Sequence, residues 1–175
     1  MSAIVNKNRN SFSAKCRGFG FSLIELVIVV VIIAIIGAIA IPKMSRGAAG
    51  ANDAALAQDL SVLRTALDLY ATENGGTYPT GANMPNALLQ YSDGSGGLSA
   101  TKTGAYIYGP YLRAVPPMPV GTNNKGSATF ATGVATPAPG TAATGGWYYN
   151  TTTFTISANC PTTEKDAAAV SYNTY

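Results

Sequence analysis

The sequence predicts an α+β chain. One long N-terminal helix spans a membrane with its first half and packs its second half against a small antiparallel β-sheet. Three observations carry this. Phe21 to Ile41 is an almost unbroken apolar run. Leu56, Leu60, Leu63, Leu67 and Tyr70 then recur at alternating spacings of four and three, the stripe of an amphipathic helix. Past Gly75 the composition turns to Gly, Pro, Thr and aromatics, and Trp147, Tyr149, Phe154 and Ile156 alternate with other residues as strands do.

Each element follows from its residues. At about 1.5 Å per residue, a helix over Phe21 to Ile41 covers roughly 30 Å, the thickness of a bilayer's hydrocarbon core. Lys7, Arg9, Lys15 and Arg17 precede this span, whereas only Lys43 and Arg46 follow it closely. The positive-inside bias therefore places Met1 in the cytoplasm and the C-terminal part outside. Gly37 and Pro42 interrupt the run. Proline removes a backbone hydrogen bond and clashes with the preceding turn, so Pro42 predicts a kink, or a locally melted stretch, over 38–42.

The amphipathic continuation covers 43–75, with Ala49, Val62, Ala66 and Leu69 flanking its stripe and Asn74-Gly75-Gly76 ending it. That stripe suits either a sheet within the same domain or a coiled-coil seam, and its short length favours the sheet. A globular β-rich domain over 76–175 follows. Tyr78-Pro79-Thr80-Gly81 and Ser92 to Gly97 read as turns, with a short helix over Asn86 to Gln90 between them. Ala105 to Tyr108 reads as a strand and Val134 to Gly146 as a loop. Trp147 to Ile156 reads as a hairpin about Asn150-Thr151-Thr152, whose aromatic face covers the leucine stripe. Asn150-Thr151-Thr152 also fits a glycosylation acceptor, but the turn needs no further machinery.

Glu25 is the residue that points to function. A carboxylate inside a membrane span is costly and calls for a partner, and a terminal ammonium at Phe21 would supply one if the chain were cut after Gly20. Met1 to Gly20 has the form of a processing leader: four bases, no acid, then a small residue and an apolar run. An ordinary signal peptide cut after Ala38-Ile39-Ala40 and an uncleaved anchor are the plainer readings. Neither explains Glu25.

Gly20-Phe21-Ser22-Leu23-Ile24-Glu25-Leu26 closely resembles the cleavage site of type IV pilins and type II secretion pseudopilins, with Ser22 where the family has threonine. The likeness is specific over about Arg17 to Arg46. It implies a pilin-like fold and cleavage between Gly20 and Phe21 by a prepilin peptidase, with N-methylation of Phe21. Gly18-Phe19 is a second Gly-Phe junction, but only Gly20-Phe21 puts Glu25 at the fifth mature position. The resemblance further implies that Glu25 pairs with a neighbouring subunit's N-terminus during assembly, and that the segment near Pro42 can unfold in the filament. Gly109-Pro110-Tyr111-Leu112, a short gap and Pro116 resemble a segment of major secretion pseudopilins.

The implied partners are the chain itself and other pilin-like subunits, the prepilin peptidase, an inner-membrane assembly platform and membrane lipid before assembly. The implied place is the bacterial inner membrane, single-pass, and then a filament. Two systems remain open: a secretion pseudopilus, or a surface pilus serving attachment, motility or DNA uptake. A third reading makes Tyr106, Tyr108, Tyr111 and Trp147 a binding surface.

Composition excludes several chemistries. The chain has no histidine, so Ser-His-Asp and Cys-His catalysis and histidine-bound metals are ruled out. No phosphate-binding or dinucleotide motif occurs. The protein reads as non-enzymatic, with no catalytic residues, no cofactor and no metal. Beyond residue 90 the acids are Asp93, Glu164 and Asp166, too scattered for the calcium site some secretion pseudopilins carry; Glu164 and Asp166 read as solvated tail residues. From Phe21 onward seven bases face eight acids, a net charge of −1, so no nucleic-acid partner is expected. Cys16 in the leader and Cys160 in the distal domain are not expected to pair. Cys160 reads as buried or intermolecular.

Overall fold

In a computed structural model of the chain, residues 20–134 and 145–175 are described. The leader up to residue 19 and most of the expected loop, 135–144, lie outside them. The chain divides into two compact units after Pro42.

Helix α1 runs Leu23–Glu73. Its backbone is helical through Pro42, so no melted stretch interrupts 38–42. In the first unit, Leu23–Ala40 is 18 residues long and apolar enough to cross a membrane, with none of it buried within the chain.

In the second unit the leucine stripe becomes the core. Leu56, Leu60, Leu63, Leu67 and Tyr70 are at most 2% exposed, whereas Val62 and Leu69 on other faces are 45% and 50% exposed. The helix ends as the Asn-Gly-Gly triplet predicts. Gly75 and Gly76 take φ of 65° and 81°, and the Gly76 N–H donates back to Ala71 O at 2.7 Å, closing the last turn through the left-handed conformation glycine adopts freely. Asn74 is buried and serves three groups: its amide donates to Tyr70 O and Ser92 Oγ and its Oδ1 accepts from Gly96 N–H.

Helix α2, Asn86–Leu89, falls where the sequence predicts and buries Ala87 and Leu88. Strands β1 (Tyr91–Ser92) and β2 (Leu98–Ser99) form a small antiparallel pair. Of the strand expected over 105–108, only Tyr108 pairs, as an isolated bridge to Ser92. The main sheet has the order β3-β4-β5, with β3 at Phe130–Gly133, β4 at Trp147–Asn150 and β5 at Thr155–Ala158. β4 and β5 are the expected antiparallel hairpin, but β3 runs parallel to β4, so the sheet is mixed. A parallel neighbour needs a connection of about a dozen residues or more, and the chain from Gly133 to Trp147 is long enough to supply it.

The buried face of the hairpin differs from expectation at one position. Trp147, Tyr149 and Ile156 are fully buried with the leucine stripe, as is Ala158. Phe154 is 40% exposed. It lies in the turn at φ 55° and stacks on Tyr78, ring centroids 4.9 Å apart. Asn150 Oδ1 accepts from the Thr152 and Thr153 N–H groups, which lengthens the turn past Thr152 and removes Phe154 from the strand. Register explains the substitution: Trp147 faces Ala158 and Tyr149 faces Ile156, so a small residue completes the face opposite the indole. The polar ends of the buried aromatics are satisfied, Trp147 Nε1 donating to Pro116 O and Tyr149 OH to Pro79 O, each at 2.8 Å.

Candidate functional site

The sequence singles out the head of α1. Gly20, Phe21 and Ser22 precede the helix and are exposed. Ser22 O accepts the Leu26 N–H at 3.1 Å, closing the first turn. Glu25 lies in that turn, where the positive end of the helix dipole favours a carboxylate. It is exposed, and among the described residues no hydrogen bond or ion pair engages it. Around it the apolar side chains are bare: Phe21 is 79%, Leu23 81%, Ile24 63% and Leu26 62% exposed. Isolated large hydrophobics on a surface are ordinary, but a contiguous apolar surface signals membrane or protein contact. A Cβ added at Gly20 or Gly37 would meet nothing within 4 Å, so neither glycine is required by packing inside this chain.

Gly20, Phe21 and Glu25 thus form one exposed group at the helix start. Pro42 lies farther along the same helix.

The distal acids have structural tasks that the sequence reading did not assign. Asp166 Oδ1 accepts from Ala168 N–H at 2.9 Å and Val170 N–H at 2.8 Å, and its Oδ2 accepts from Tyr175 OH. These bonds, the Tyr175 hydroxyl foremost, hold its carboxyl below the usual range although some desolvation opposes them. Asp53 on α1 accepts from Tyr172 OH at 2.7 Å and Ala167 N–H at 3.3 Å. Together they fold the last fifteen or so residues onto the domain as a hook, and Arg64 donates to Tyr175 O within it. A tyrosine pair following an aspartate was the available signal. Periodicity cannot detect the contacts of Asp53 and Arg64, because they join segments over a hundred positions apart.

Glu164 accepts the Thr122 N–H at 2.8 Å. Burial pushes its carboxyl up, but hydrogen bonding from Thr122, with the neighbouring Cys160 thiol a smaller influence, outweighs this and leaves it lowered; its Oε2 is buried with no hydrogen-bond partner among the described residues. Cys160 is buried and free, which resolves its two readings toward burial. Desolvation first, then the neighbouring Glu164 carboxylate, pushes its thiol up to about 12. Such a thiol is protonated and inert at neutral pH.

Asp93 Oδ1 accepts from the Ser95 and Gly97 N–H groups at 2.8 and 2.9 Å, organising a turn. Among the described residues no three acids or cysteines come together as a metal site would need. Of the four aromatics considered as a binding surface, Trp147 is fully buried, and Tyr111 packs edge-on to Tyr70 while donating to Glu73 Oε2 at 2.5 Å.

Comparison with family models, curated proteins and solved structures returned no match to this chain. What fold and site define is therefore a class: an α+β chain whose N-terminal helix is long and apolar enough to span a membrane.

Proposed function

We propose that this chain is a subunit of a type IV-like filament, a pseudopilin of a type II protein secretion system, made as a precursor and cut between Gly20 and Phe21. The observation that carries the reading is Glu25 in the first turn of an exposed apolar helix, five positions after Gly20. In the inner membrane, lipid covers Leu23–Ala40, with the distal domain outside the cytoplasm. In the filament, neighbouring copies cover the same surface, and apolar burial supplies the cohesion.

Glu25 then sets register. Away from water, its carboxylate and a neighbour's N-methylated Phe21 ammonium attract strongly, and leaving either alone is costly. The pilin-like fold, the platform and peptidase partners, and the absence of catalysis belong to this proposal. The Gly109 to Pro116 segment favours secretion over a surface pilus.

Replacing Glu25 with Ala tests it. The variant should insert and be cleaved normally, since a charge that opposes insertion has gone, yet should assemble few filaments. Wild-type filament yield from Glu25→Ala, measured by shearing and electron microscopy, would remove the carboxylate from assembly and the proposal with it.

A further inference from the structure

The Asn74-Gly75-Gly76 triplet that ends α1 carries a reactivity of its own. Asn74-Gly75 is the only asparagine-glycine pair in the chain. The backbone nitrogen after an asparagine lies within reach of that side chain's Cγ, and a glycine there has no Cβ to hinder the approach. A Cβ built on Gly75 would meet nothing within 4 Å, and the Gly75 N–H makes no hydrogen bond among the described residues. The nucleophile is free.

The electrophile is not. Asn74 is 3% exposed. Its Nδ2 donates to Tyr70 O at 2.9 Å and to Ser92 Oγ at 3.1 Å, and its Oδ1 accepts from Gly96 N–H at 3.3 Å. Its backbone is pinned as well, the N–H donating to Tyr70 O and the carbonyl accepting from Thr77 N–H. Closing a ring between Cγ and the Gly75 nitrogen turns the amide out of its three side-chain bonds and leaves buried polar groups without partners. The same burial keeps water from the carbonyl carbon.

We propose that Asn74 is a site of spontaneous deamidation, held off while the helix end is closed and released when it opens. The Gly75 nitrogen gives its proton to solvent base and bonds Cγ; the Cγ–Nδ2 bond breaks and ammonia leaves with a proton. Water then opens the resulting imide at either carbonyl. One opening leaves aspartate at position 74, and the other leaves isoaspartate, with the main chain passing through the side chain. Neither product restores the tie. A carboxylate has no N–H for Tyr70 O or Ser92 Oγ, and a buried charge without matching donors is costly; isoaspartate lengthens the backbone in the last turn by a methylene. The change is one-way, and a chain that has opened there no longer holds the turn from Ser92 to Gly97 against α1.

The test follows conversion at Asn74 over time by peptide mass mapping, with isoaspartate-specific methylation as a second readout. The full chain is incubated in detergent micelles at mildly alkaline pH, and in parallel in guanidinium. Reaction through the open form scales with that form's population, so the folded chain should convert at least about tenfold more slowly than the denatured one. Ser92→Ala removes one of the three side-chain bonds and should speed conversion of the folded chain by about two- to tenfold, with Trp147 fluorescence showing that the domain remains folded. The wild-type comparison stands without the variant. An Asn74 that stays intact in guanidinium, equal rates in the folded and denatured chains, or an unchanged rate in a folded Ser92→Ala chain would overturn the proposal.

Discussion

Replacing Leu63 with Ala, against the same change at Leu69, separates a helix stripe used inside the domain from one kept for helix pairing. Both leucines lie on α1, yet Leu63 is fully buried and Leu69 is 50% exposed. Truncating a fully buried leucine loses its transfer energy and leaves a cavity, about 2–5 kcal/mol together. A half-exposed leucine forfeits about 1 kcal/mol or less. At about 4 °C per kcal/mol for a domain of this size, Leu63→Ala should lower the melting temperature by about 8–20 °C and Leu69→Ala by about 4 °C or less. Leu63→Asp should unfold the domain outright, since an unpaired buried carboxylate costs several kcal/mol against a total stability of about 5–15 kcal/mol. Fluorescence of Trp147, the chain's only tryptophan and fully buried, reports the melt in detergent, where helix content from Leu23–Ala40 would mask it. Equal shifts at the two sites, or a Leu63→Asp chain that stays folded and merely loses self-association, would refute the packing and restore the coiled-coil seam.

Two further outcomes follow from the ionisable groups. In a Cys16→Ser chain, Cys160 should resist iodoacetamide at pH 8 and react fully once denaturant is added; rapid labelling of the folded chain, or a Cys160-linked dimer, would place the thiol at the surface. The domain should also lose stability at both extremes of pH, as denaturant midpoints measured across pH would show. Asp166 and Glu164 are depressed when folded, so their contribution is present above their unfolded values and lost as pH falls through 4.5 and 3.8 and below; Asp59, raised by burial, opposes this weakly. Burial raises Tyr111, Tyr149 and Cys160 to about 12, so the stability they lend in their neutral forms is complete below their unfolded values of 9.0 and 10.0 and lost as pH rises toward 12. A stability profile flat from pH 3 to pH 11 would contradict both.

Periodic elements were legible because burial writes itself into sequence at fixed intervals. The stripe from Leu56 to Tyr70 needed only the 3.6-residue repeat, and Trp147, Tyr149 and Ile156 only the alternation of a strand. Phe154 has the right parity for that face, but Asn150 caps a longer turn, and parity loses meaning once a residue leaves the ladder. The parallel pairing of β3 was not legible: Phe130–Gly133 is short, half-buried and without marked alternation, and its partner is chosen by topology. The hook depends on Asp53 and Arg64 meeting residues more than a hundred positions further along the chain, which no local pattern records. The head of α1 is the opposite case, because its signal is a local order of residue types, Gly20, Phe21 and Glu25, that survives without any fold.

Mass determination of the mature N-terminus, on protein produced with a prepilin peptidase, tests the central claim most directly. The account predicts a chain beginning at Phe21 and carrying one added methyl group on its amine. A chain retaining Met1 to Gly20, or one beginning at Phe19 or Ile41, would contradict it.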